Sequence, residues 1–164
     1  MGLLNFRHMR VWVPILIGVG LAATGCSLSG RGFATPGAEQ KYPSNGGQVY
    51  STGTSQRGDT ITYTMSGGSM MAPANLACGS CHGADGKGGQ VQMMMGTFTT
   101  PDIRYNTLTS SQGMDHPPYT DETIKQAITQ GLDPAGKPLN WPMPRWSMSE
   151  QDLNDLIGYL KTLK

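Results

Sequence analysis

Apolar positions follow different rhythms along this chain, and each rhythm predicts a different element. Between Asp121 and Gln130, Ile124, Ala127 and Ile128 recur at helical spacing, with Thr120 placed to cap the start and Gly131 to stop the end. The next stripe is longer: Leu153, Leu156, Ile157, Leu160 and Leu163 share one helical face, with Tyr159 beside it. Ser149 is the expected N-cap there, with Asp152 three residues on. Met148 can pack on Leu153 as a hydrophobic staple. Lys161 and Lys164 sit at the end where a helix dipole favours positive charge. A short first helix is expected over 46–52. From Asp59 to Met65, polar and apolar residues alternate with β-branched enrichment, which predicts a strand, read as one arm of a small hairpin that Gly67-Gly68 breaks. Helices and loops with one minor strand pair make the chain mainly α.

The N-terminal apolar run has another character. It extends continuously from Val11 to Ala23, follows Arg7, His8 and Arg10, and ends in Ala23-Thr24-Gly25-Cys26. At 13 residues, with Pro14 inside, it is shorter than the roughly 18–20 apolar residues a spanning helix needs. A basic stub, a short apolar centre and small residues before a break describe an export signal. The segment resembles a bacterial lipoprotein signal, and that resemblance implies lipidation of Cys26. Ser27 after it, rather than Asp, suits outer-membrane sorting in a Gram-negative cell. The expected divisions are a signal peptide at 1–25, a flexible Gly/Ser/Pro tether at 26–45 and one domain at 46–164. The expected location is the cell envelope, membrane-anchored and facing the periplasm or the exterior.

Charge and composition narrow the function. Charged residues are only 14% of the chain, against 23 Gly and 11 Pro, so the core is lean and a staple such as a cofactor is expected. Net charge is +1, which gives no nucleic acid a basic surface to bind. Without Arg7 and Arg10 the exported portion keeps 10 basic and 11 acidic residues, a net of −1, so no broad field steers a partner.

The three cysteines are Cys26, Cys78 and Cys81. If Cys26 takes lipid, the other two stand in Cys78-Gly79-Ser80-Cys81-His82, and Cys-x-x-Cys-His is the attachment motif for c-type haem. Two thiols one helical turn apart can bond the two vinyl groups of a porphyrin, and the histidine that follows can reach the iron. Three rival readings exist. A zinc site would need a fourth ligand such as His116. A thioredoxin-like pair would need a βαβ setting. A plain disulfide would leave His82 without a role.

From Gly46 to Lys164 the chain resembles a monohaem class I cytochrome c. The residues that carry the resemblance are Cys-Gly-Ser-Cys-His-Gly at 78–83 with Asp85-Gly86-Lys87-Gly88, and Trp141-Pro142-Met143-Pro144 ahead of the helix that starts after Ser149. The resemblance implies the class I fold around one covalent haem c. It implies thioether bonds at Cys78 and Cys81, and His82 and Met143, 61 residues apart, as the axial ligands of the haem iron. It also implies a first helix in which Gly46 and Tyr50 cross the last helix at Tyr159. The connection at 53–75 is longer than the family pattern, a small loop or hairpin insertion holding Met65, Met70 and Met71. Among 11 Met, Met148 is the nearest rival ligand, and Met93-Met94-Met95 either line the haem crevice or bind Cu(I). His116 would give a bis-histidine site. Arg104, Tyr105, Trp141 and Arg145 are candidates for holding haem propionates. The expected function is one-electron transfer between redox protein partners rather than enzymatic turnover. The alternatives are a fixed electron-accepting subunit of a dehydrogenase or oxidase complex, a haem peroxidase or gas-binding protein, and, more distantly, a copper-binding protein.

Overall fold

Ser44 opens the first helix, α1 (Asn45–Thr52), by accepting the Gly47 amide on its hydroxyl at 3.1 Å. Gly53 closes it with a left-handed backbone (φ 69°) that sends its amide to the Val49 carbonyl. The helix therefore takes in Asn45, the last residue of the expected tether. The structure is a computed structural model that describes residues 42–65, 76–93, 96–110 and 115–164, all within one compact unit, Gln40–Lys164. The expected signal peptide, Cys26, the tether up to residue 41, Met70, Met71, Met94 and Met95 lie outside the described residues. No helix among the described residues is long and apolar enough to cross a membrane.

After α1 come β1 (Thr62–Thr64), α2 (Cys78–His82), β2 (Gly89–Met93), β3 (Gly96–Thr100), α3 (Tyr105–Leu108), α4 (Asp121–Gln130), β4 (Arg145–Ser147) and α5 (Glu150–Leu160). The local signals at α4 and α5 act as the sequence implies. Thr120 and Thr123 exchange side-chain and backbone hydrogen bonds in a capping box, and Gly131 (φ 68°) ends α4. Ser149 accepts the Asp152 amide at 3.2 Å to start α5. Ile124 and Ile128 of α4 and Leu153, Leu156, Ile157 and Leu160 of α5 join Val49, Tyr50, Leu76 and Trp146 in one buried cluster.

α1 lies directly against α5. At Gly46 a Cβ would stand 2.0 Å from the Asp155 carbonyl oxygen, so only glycine permits this approach. One turn on, the Tyr50 and Tyr159 rings meet at 5.2 Å, the contact that the family resemblance implies.

The strands depart from expectation. β1 is not a hairpin arm: it pairs antiparallel with the distant β4, with Tyr63 opposite Trp146 and their rings 4.9 Å apart. The physical reason is that Tyr63 needs an apolar cross-strand partner, and Trp146, 5% exposed, supplies one against the core. The hairpin is instead β2–β3, which follows the Cys-x-x-Cys-His motif, with Gly89 opposite Thr100 and Met93 opposite Gly96.

A buried carboxylate locks the α1–α5 joint. Asp152, 0% exposed, accepts from Asn45 Nδ2 (2.7 Å), the Ser55 hydroxyl (2.8 Å), Arg57 (3.0 Å) and the Ser149 hydroxyl (2.8 Å). Burial pulls its pKa upward, but these hydrogen bonds together outweigh it and hold the carboxyl below its usual range. A lowered folded pKa means stability that is present above the ordinary value, near 4, and is lost as pH falls through the folded value. Asp152→Asn should lower unfolding free energy by about 2–4 kcal/mol at pH 7. In denaturant titrations across acid pH, the gap from the parent should narrow as pH falls. A constant gap would refute the carboxylate's role.

Candidate functional site

α2 is a single turn, held from both ends. Ala77 enters extended, the Ser80 amide bonds the Ala77 carbonyl, and the Gly83 amide bonds Gly79 at 3.0 Å. From behind, the Tyr50 hydroxyl donates to the Gly83 carbonyl at 2.6 Å, so α1 fixes the turn against the core. Cys78 and Cys81 are free, half-buried thiols on this turn, and both face one cavity. Burial pushes the Cys78 thiol up to about 12 and raises Cys81.

His82 is 7% exposed, and its Nδ1 lies 3.0 Å from the Pro101 carbonyl. A carbonyl can only accept, so Nδ1 carries the proton and the lone pair is on Nε2. Burial lowers the His82 pKa against a weaker opposing pull from that carbonyl, so the ring is neutral at pH 7. A neutral imidazole with a fixed tautomer is the form that ligates metal. Thr100, the residue before Pro101, shares its hydroxyl proton between the carbonyls of Cys81 (2.8 Å) and Gly89 (3.1 Å), tying β3 to the motif.

The cavity these groups line measures about 580 Å³ and is partly open to solvent. Ile124 and Ile128 of α4 wall it on one side, and Val91, Met93 and Phe98 of the β2–β3 hairpin on another. Trp141 and Met143, on the segment before β4, complete it. The Phe98 and Trp141 rings touch edge to face, 5.5 Å apart, linking the hairpin to that segment.

The cytochrome c family profile matches residues 65–164, more than half of the chain. This chain belongs to the cytochrome c family. No curated protein and no solved structure matches it. It therefore binds one covalent haem c with its iron, and its chemistry is haem-based electron transfer. The residues present fit that group. The cavity is apolar, as a porphyrin face requires, and two free thiols and a neutral imidazole nitrogen converge on it with a thioether in the same walls.

Of the four residues named for propionates, only Trp141, 42% exposed, lines the cavity. Arg104 is instead paired with Asp102, two residues before it, and its guanidinium is spent there. The Tyr105 hydroxyl donates to Asp121 at 2.8 Å, with Lys161 over its ring. Arg145 turns to the backbone carbonyls of Met143 and Leu139. Met148 packs on the core rather than the cavity, consistent with a staple. His116 and Met93 do line the cavity. Sequence reasoning missed Thr100 and Pro101, and nothing in Thr-Thr-Pro distinguishes them locally.

Thr100→Val should remove both carbonyl contacts at constant shape and cost about 1–2 kcal/mol of unfolding free energy, read from denaturant midpoints of the haem-loaded protein. An unchanged midpoint would remove the proposed tie between β3 and the motif.

Proposed function

We propose that this cytochrome is a one-electron carrier of the bacterial cell envelope. In this reading Cys78 and Cys81 hold haem c by thioether bonds, and His82 and Met143 are its axial ligands. The observation that carries the reading is convergence: both thiols, the imidazole with its lone pair on Nε2, and the Met143 side chain share one apolar cavity. They come from segments 61 residues apart in sequence.

Haem c, when bound, supplies reversible exchange between Fe(III) and Fe(II). The chain's own residues set its terms. The Pro101 carbonyl accepts from His82 Nδ1–H, which holds the ring's orientation and makes Nε2 more basic. A thioether is neutral and donates less to Fe(III) than a second imidazole, so Met143 favours the reduced state and raises the potential. The hydrocarbon walls from Val91, Phe98, Ile124 and Ile128 disfavour the extra charge of the oxidised form in the same direction. If His82 and Met143 both held the iron, no position would be left for a substrate, which would separate a carrier from a peroxidase or gas-binding protein. Flanking prolines Pro142 and Pro144 restrict the backbone at Met143.

Partners in this reading are a redox donor and acceptor, met by a nearly neutral surface. The lipid anchor at Cys26 and the Gly/Ser/Pro tether before Tyr42 would keep the domain at a membrane while letting it reach both. Support for that part is the signal-like run from Val11 to Ala23 and the small residues before Cys26.

Met143→Ala tests the ligation. The oxidised parent should show the weak near-red absorption of a thioether-to-ferric-iron bond, and the reduced parent should resist carbon monoxide. The variant should lose the band and bind carbon monoxide rapidly. A variant that keeps the band would transfer the ligand role to another sulfur.

A further inference from the structure

We propose that Arg145 is the positioning residue for Met143, holding the segment that carries it; this rests on the His82/Met143 ligation above. The guanidinium reaches back from β4 across the Met143 segment. Nη1 donates to the Met143 carbonyl at 2.5 Å and Nη2 to the Leu139 carbonyl at 3.2 Å. Two parallel donors from one rigid fork thus grip both ends of the segment that walls the cavity.

The anchor of this clamp is fixed independently of the segment it holds. Arg145 is a ladder residue, opposite Thr64 in β1, and Trp146 beside it is buried under Tyr63. The path of its side chain is cut into the fold at Gly131. A Cβ there would stand 1.7 Å from Arg145 Nε and 1.8 Å from Cζ, so the absence of a side chain at the end of α4 leaves the space the guanidinium occupies. Among the described residues no carboxylate pairs with Arg145, and its guanidinium bonds the two carbonyls.

The rest of the segment is closed in the same manner. The Leu139 amide donates to the Gly131 carbonyl at 2.7 Å, and the Met143 amide donates to Asn140 at 3.0 Å. Pro142 and Pro144 have no amide to give. The segment is thus tied to the end of α4 at Leu139, while Met143's own amide is held by the turn at Asn140 and its carbonyl by Arg145. Without the fork, the carbonyl side of Met143 is released while its amide side stays turned, and the thioether is free to swing from the iron.

The test uses the haem-loaded protein with three readouts: the thioether–iron band, the reduction potential, and displacement of the sixth ligand by imidazole in the ferric state. Arg145→Gln should weaken or abolish the band, lower the potential and tighten apparent imidazole binding about tenfold or more, as expected for losing charge-assisted hydrogen bonds. Arg145→Lys keeps the charge but reaches one carbonyl, and should fall between parent and Gln variant; it also serves if the Gln variant fails to accumulate. Band, potential and imidazole affinity all at parental values in a folded Arg145 variant, even one of lowered unfolding midpoint, would reduce Arg145 to a structural residue and overturn the proposal. A parent without the band would overturn the His/Met ligation itself, and this inference with it.

Discussion

The hydrogen bond from His82 Nδ1 to the Pro101 carbonyl, 3.0 Å long, is the interaction on which the site depends. It decides the tautomer of a buried ring and leaves the lone pair on Nε2. The chain between the two residues brings those atoms together. After α2 it leaves through β2 and returns through β3, and the register that sets Gly89 opposite Thr100 brings Pro101 back beside His82. The same excursion supplies Val91, Met93 and Phe98 as one wall. One hairpin thus orients the His82 imidazole and walls the cavity that it lines.

The opposite side of the motif is held by helix packing. α1 and α5 approach closely enough to exclude a Cβ at Gly46, and Tyr50 passes from that contact to the Gly83 carbonyl. Asp152 joins the helices at their polar end, where four side chains satisfy a carboxylate that would otherwise be costly to bury. The motif is therefore pinned between a hairpin on one side and a helix pair on the other. In the proposed attachment that pinning presents both thiols and the imidazole to one planar ring.

Much of this was legible in the residues, and the division between what was and was not follows the range of each interaction. The helices α4 and α5 announce themselves through caps and stripes that lie within a few residues of each other, and the structure places Thr120, Gly131 and Ser149 in those roles. The Gly46–Tyr50–Tyr159 contact was accessible only through family resemblance, since spacing alone names no partner. Alternation at 59–65 revealed a strand and its faces but not the strand it joins, because β pairing is non-local and Trp146 lies some 80 residues on. The β2–β3 hairpin escaped notice for want of an Asn-Gly or Asp-Gly turn. Arg104 and Arg145 were candidates for propionates because a cation near a motif advertises its charge and hides its direction, and the structure shows them bonded to Asp102 and to the Met143 and Leu139 carbonyls. Asp102, two residues before Arg104, was the local sign that its charge was already paired. Nothing local could show that Gly131 makes room for Arg145.

The central claim is that one haem is bonded covalently to Cys78 and Cys81 of this chain. Intact-mass analysis of the purified pigment, before and after acid-acetone extraction, tests it most directly. The account predicts a chain heavier by one haem, unchanged by the extraction, with both cysteines blocked to alkylation. A colourless extracted chain at the polypeptide mass, with Cys78 and Cys81 open to alkylation, would contradict it.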